Sequence, residues 1–348
     1  MRFSNVILAL SGVGLSAAAA LAGCGNGDMT TGSGGSSGSG VSTGTHTTTG
    51  TMATTSTGSG MSFPCSPKAS CTAVDKACLG LVDNKGKTKF GLRMSDLVIN
   101  KPAALASGLV ASVVAGSVTP SLAACNLNGS GTFSWLLEFD LTAGTLTTGG
   151  AKPVADASKG YSFVNETVMQ GGKSFMIQPV SYPVKPDAGG NFDVKMGADL
   201  LVPIYLDAAA TMVVILPLKQ GKLSMGTLSA SQNCIGTYNA KGLDPANSCL
   251  PDAQHPLFVT GSQLNGLITL EDADTVIISS LNESLCVALS GNGAMYGMKN
   301  AAGTTVCKRD ASMKILFQGD SCSMAGSMCT DSVALGANFA ASSVKVNN

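Results

Sequence analysis

Glu138 and Asp140 are the pair best placed to do chemistry. Two residues apart on an extended strand, they project from one face roughly 6–7 Å apart. Glycosidic-bond cleavage uses two carboxylates at such spacings, one as acid and one as nucleophile or base. The competing assignment is two polar residues on the wet side of a strand, and the flanking pattern favours it. Phe133, Trp135, Leu137, Phe139 and Leu141 alternate with Thr132, Ser134, Leu136, Glu138 and Asp140. That period of two marks a half-buried strand. Trp135 falls on the apolar side, so it reads as core rather than as a platform for sugar rings.

A second carboxylate group, Glu271, Asp272 and Asp274, offers the hard oxygen ligands that calcium takes. It does not follow the twelve-residue helix–loop–helix pattern, and a solvated acidic turn is the simpler reading. Other chemistries fail on inventory. The two histidines are His46, in a low-complexity stretch, and His255, in the loop Asp252-Ala253-Gln254-His255-Pro256. No Gly-x-Ser-x-Gly elbow and no Gly-x-x-x-x-Gly-Lys phosphate loop occurs. Lys and Arg number 21, as do Asp and Glu, so no basic field recruits nucleic acid. No cofactor is expected.

Glu138-Phe139-Asp140 is similar to the start of the Glu-x-Asp-x-Glu pattern of concanavalin-like endoglycanases. In that family two glutamates act as nucleophile and acid, which implies a glycan hydrolase or lyase using Glu138 and Asp140. Thr142 and Ala143 stand at the positions for the second glutamate.

The N-terminus carries a different signal. Arg2 gives a short positive end, and Val6 to Leu21 is small, apolar and uncharged. Leu21-Ala22-Gly23 then precedes Cys24. Ser11, Gly12, Gly14 and Ser16 interrupt the run, so a cleaved export signal over 1–23 fits better than a span of about 20 strongly apolar residues. Leu21-Ala22-Gly23-Cys24 resembles the lipobox of bacterial lipoproteins. The resemblance implies diacylglycerol on the Cys24 sulfur, cleavage before it, and acylation of the new amino group. Stable membrane attachment would follow, at about 0.8 kcal/mol per buried CH₂. Gly25 in place of Asp implies the outer membrane of a diderm bacterium.

From Cys24 to residue 61 the chain is almost entirely Gly, Ser and Thr. Such a segment cannot bury enough apolar surface to fold, so a disordered tether with a reach of about 35 Å is expected. Residues 62–348 then form the folded part, as one β domain or two lobes splitting near Ser229.

Cysteine usage agrees with export. Setting Cys24 aside leaves ten of the eleven cysteines, without a Cys-x-x-Cys pair. An even remainder in an exported chain reads as disulfides. The local pairs Cys234–Cys249, Cys286–Cys307 and Cys322–Cys329 are expected, leaving two bridges among Cys65, Cys71, Cys78 and Cys125.

The elements around these residues read as many short strands. A helical turn is expected at Thr72 to Leu79, and a strand and turn at Leu81 to Gly86. Further strands are expected at Lys89 to Asn100, Gly108 to Val118, Thr132 to Leu141, Thr145 to Thr148, Tyr161 to Asn165, Lys173 to Val180 and Asn191 to Lys195. The apolar runs Asp199 to Leu206 and Thr211 to Leu218 read as buried strands, whose prolines Pro203 and Pro217 point to edges or bulges. Leu267 to Leu270, Thr275 to Ile278, Met313 to Phe317, Val333 to Leu335 and Phe339 to Val346 complete the set. Ser280 and Glu283 match a capping box before a short helix over Leu285 to Leu289, ended by Gly291. Strands without alternating helices predict an all-β, antiparallel sandwich or jelly-roll-like domain stapled by disulfides. The expected function is a lipid-anchored, non-catalytic binding or structural module of the cell envelope, whose partner is an envelope polysaccharide or protein.

Overall fold

The computed structural model describes residues 72–106, 132–242, 256–324 and 327–347, which fall in one compact unit, Gly60–Asn348. The all-β expectation holds. A nine-stranded antiparallel sheet dominates. Its strands are β1 (Lys89–Lys101), β2 (Trp135–Asp140), β3 (Thr145–Gly150), β4 (Val180–Pro183), β5 (Ala198–Tyr205), β6 (Val213–Ser224), β7 (Cys234–Ile235), β8 (Ser262–Thr269) and β9 (Ser332–Val344). The spatial order is β5-β6-β8-β9-β1-β2-β3-β4, and β7 also pairs with β9. The sheet curls until it is nearly a barrel. Gly150 of β3 then lies so close to Pro203 of β5 that a Cβ there would collide with the proline ring.

The alternation along β2 sorts its side chains as the sequence predicts. Trp135, Leu137 and Phe139 enter the main core with Phe90, Leu92 and Met94 of β1. Phe139 stacks on Phe90 at 5.4 Å and meets the edge of Phe192 at 5.3 Å. Burying one such side chain contributes about 1.5–3 kcal/mol. Trp135 Nε1 donates to Thr148 Oγ1 at 2.6 Å, so its one polar group is satisfied inside. The opposite face is not simply wet. Leu136 joins Ala151, Tyr161 and Val344 in a second cluster. Residues on both sides of Ser229 contribute to the main core.

Several local expectations give way to tertiary pairing. Thr72–Ala73 and Leu79–Gly80 form a small antiparallel pair rather than a helical turn. Val74 N donates to Cys78 O and a disulfide ties Cys78 to Cys234. Leu81 to Gly86 is turn without strand, with Gly86 at a φ of 76°. Val333 to Leu335 and Phe339 to Val346 belong mostly to one long strand, β9, despite Gly336 and several alanines. Pairing with β1 and β8 on either side outweighs their weak strand preference. Pro217 is tolerated because the pairing of β6 with β8 begins at Lys219. Met313 to Phe317 forms no named strand, only a bridge from Ile315 to Arg309. Gly108 to Val118 lies outside the described residues.

The helix near residue 285 exists, but its cap is different. It spans Leu285–Ser290, with Ser284 rather than Ser280 at the N-cap, and Gly291 closes it at a φ of 62°. Glu283 sits in the short strand Glu283–Ser284 and caps nothing. Three other one-turn helices, Ala103–Ala106, Leu270–Ala273 and Gly293–Tyr296, occur among the described residues.

Cys286–Cys307 and Cys322–Cys329 are bonded as expected. Cys234 is not bonded to Cys249. Its strand, β7, pairs with the end of β9 and brings its Cα to 5.5 Å from that of Cys78. Cys249 lies outside the described residues, as do Cys65, Cys71 and Cys125.

Candidate functional site

The structure gives Glu138 and Asp140 different partners, two residues apart on β2. Asp140 ends β2, where its Oδ1 accepts hydrogen bonds from Thr142 N at 3.0 Å and Ala143 N at 2.8 Å. It fixes the turn into β3, with Gly144 following at a φ of 66°. Glu138 instead lines a cleft of about 410 Å³, in which Asp140 takes no part.

The cleft forms where three segments meet: the turn before β1, the start of β1 with its β2 neighbour, and the end of β9. In register, Gly91 lies between Glu138 and Val344. Gly91 is required there, because a Cβ would collide with Val346. The turn is held by Asn84, whose side chain is 1% exposed. Its Nδ2 donates to Gly91 O at 3.1 Å and Gln232 O at 3.2 Å, and its N donates to Asn233 Oδ1 at 2.7 Å. Asn233 Nδ2 also donates to Asp83 at 2.9 Å. That bond is the main reason the Asp83 carboxyl is held below its ordinary value, helped by the backbone N–H of Lys85.

The cleft is cationic. Among the described residues, Lys87, Lys89 and Lys345 line it against one carboxylate, Glu138. Glu138 Oε2 lies 3.2 Å from Lys89 Nζ, with the glutamate side chain 12% exposed. Lys87 Nζ lies 3.5 Å from Asn84 Oδ1. Val82, Val344 and Val346 supply aliphatic walls.

Arg93 lies two residues along β1 from Gly91, on the same face of the strand, and is paired with Ser342. It is 4% exposed. Its Nε donates to Ser134 Oγ at 2.8 Å and its Nη2 to Phe133 O at 3.1 Å, while the guanidinium sits 5.2 Å from the Tyr161 ring centre. Those partners are neutral. Burial lowers the arginine's pKa, and the nearby tyrosine opposes this.

The acidic group Glu271, Asp272 and Asp274 is brought together, but on cations of the chain itself. Arg309 forms a fork on Glu271 at 2.8 and 2.9 Å and reaches Asp274 Oδ2 at 3.1 Å. Asp274 Oδ1 accepts from Ser284 Oγ at 2.7 Å and from Cys307 N at 2.8 Å. Asp272 pairs with Lys173 at 3.2 Å and accepts from Thr269 Oγ1 at 2.8 Å. These contacts occupy the oxygens that calcium would need. Asp274 also lies near Cys286 and Cys307, but those sulfurs are bonded to each other.

Sequence reasoning singled out Glu138 and missed Lys87, Lys345, Asn84 and Arg93. Part of the signal was present, since Lys85, Lys87 and Lys89 alternate along the chain. Lys345 joins them only through the pairing of β9 with β1. Cys24 and His255 lie outside the described residues. Among those residues no helix is long and apolar enough to cross a membrane. No protein-family profile, no curated protein and no solved structure matches this chain.

Proposed function

We propose that this is an exported cell-envelope lipoprotein, anchored through Cys24 to the outer membrane of a diderm bacterium, whose β domain is a non-catalytic binding module. The partner is an envelope polysaccharide or an envelope protein. The observation that carries the binding reading is the division of labour between the two carboxylates. Glu138 is ion-paired to Lys89 inside a cleft, while Asp140 is bonded into a turn outside it. A cleft of this volume falls in the range of small-ligand sites. The anchor reading is supported by the Leu21-Ala22-Gly23-Cys24 motif and the Gly/Ser/Thr stretch that follows.

Two measurements test this. Cells given labelled fatty acid should label the protein, and Cys24→Ser should abolish the label; persistence of label on that variant removes the anchor. The full chain, incubated with a panel of envelope polysaccharides, should retain a polymer without releasing soluble sugar. Release that is lost in Glu138→Gln would replace the binding module with the hydrolase or lyase reading.

A further inference from the structure

Resting on the binding-module reading, we propose that the cleft around Glu138 takes an acidic polysaccharide, with Lys87 and Lys345 as the residues that engage its anionic groups.

The charge balance of the cleft points this way. The whole chain is balanced at 21 cationic and 21 acidic side chains, yet the cleft gathers three lysines around one glutamate. Glu138 already faces Lys89. Lys87 and Lys345 stand on the turn before β1 and just after β9, so they approach from two segments far apart in sequence. Among the described residues neither has an ion pair with a carboxylate. Asp83, the acid on the Lys87 turn, is fixed by Asn233 and the Lys85 backbone and feels the Lys87 charge from beyond ion-pair distance.

The second observation is independent of the lysines. Arg93 is a buried cation whose hydrogen-bond acceptors among the described residues are all neutral. A buried charge is screened much less than an exposed one, and Arg93 is two residues from Gly91 in the cleft wall.

The remaining surface decides between a small anion and a polymer. The aliphatic walls formed by Val82, Val344 and Val346 suit the C–H faces of sugar rings, and the cleft opens at the surface where a chain can pass. The shared chemistry is a negative charge carried on sugar, as carboxylate or as phosphate. Lysine ammonium groups, being point charges, recognise either.

The test is affinity electrophoresis of the full chain in detergent, through gels containing polygalacturonate, phosphomannan or neutral dextran. Retardation by polygalacturonate, phosphomannan or both, with none by dextran, is expected, and the two acidic gels distinguish carboxylate from phosphate. The variant Lys87→Gln/Lys345→Gln should lose about tenfold in affinity for the retarding polymer. The variant Lys195→Gln/Lys314→Gln carries the same charge change outside the cleft and, measured against a polymer-free gel, should be retarded as much as the parent. Equal loss in both variants, or acidic retardation unchanged in the first, overturns the proposal. Retardation by dextran alone also overturns it, while leaving the binding module standing. Retardation by none of the polymers overturns both for polysaccharide.

Discussion

Two of the places where carboxylates meet cations are built to opposite ends. Around Arg309 the account is closed. One guanidinium holds Glu271 and Asp274, and Asp274 in turn receives the cap residue Ser284 and the backbone of Cys307. Each polar group there points at another part of the same chain. Around Glu138 the account is open, with one carboxylate, three lysines and, two residues along β1 from Gly91, a buried arginine. Acidic residues clustered in sequence mark the closed region, and only one of the sequence-selected acids marks the open one. A cluster of like charges is therefore a poor guide to a site unless the opposite charges that fold onto it are known.

The comparison breaks most visibly in stability. Arg309→Ala should cost about 2–3 kcal/mol in denaturant unfolding, because it leaves Asp274, 8% exposed at its side chain, without its cation. A loss below about 0.5 kcal/mol would mean the closed network holds nothing together. Glu138→Gln should cost less, under about 1 kcal/mol, since its partner Lys89 is 45% exposed and water screens the pair. The same change raises the positive charge of the cleft, so retention of the acidic polymer should strengthen. Weaker retention would mean that Glu138 itself contacts the ligand.

The smallest effect sharpens the open region through pH. Asn233 holds the Asp83 carboxyl below its ordinary value. The folded state therefore binds that proton less readily than the unfolded state. The resulting stability is present above the ordinary carboxylate value and is lost as pH falls through the lower folded one. Asp83→Asn should flatten the decline of stability below about pH 4. An unchanged slope would show that the Asn233 contact does not tune Asp83.

Legibility in the sequence followed the range of the interaction. The faces of β2 were readable because alternation is local and Trp135, Leu137 and Phe139 have only one way to be buried together. The bridges Cys286–Cys307 and Cys322–Cys329 were readable because short loops close easily. The Cys78–Cys234 bridge spans 156 residues and depends on β7 lying along β9. The helix cap moved from Ser280 to Ser284 for a related reason: the Ser284 hydroxyl donates to Asp274, ten residues earlier.

By itself the sequence determined the all-β class, the core strand β2, the strand that follows it from Thr145 and two of the disulfides, because each rests on residues close together along the chain. Only the tertiary structure decided the nearly closed sheet, the different partners of Glu138 and Asp140, the capture of Glu271 and Asp274 by Arg309, and the meeting of Lys87 with Lys345. Those outcomes depend on which strands pair and in what register, and a one-residue slip would send every side chain to the other face.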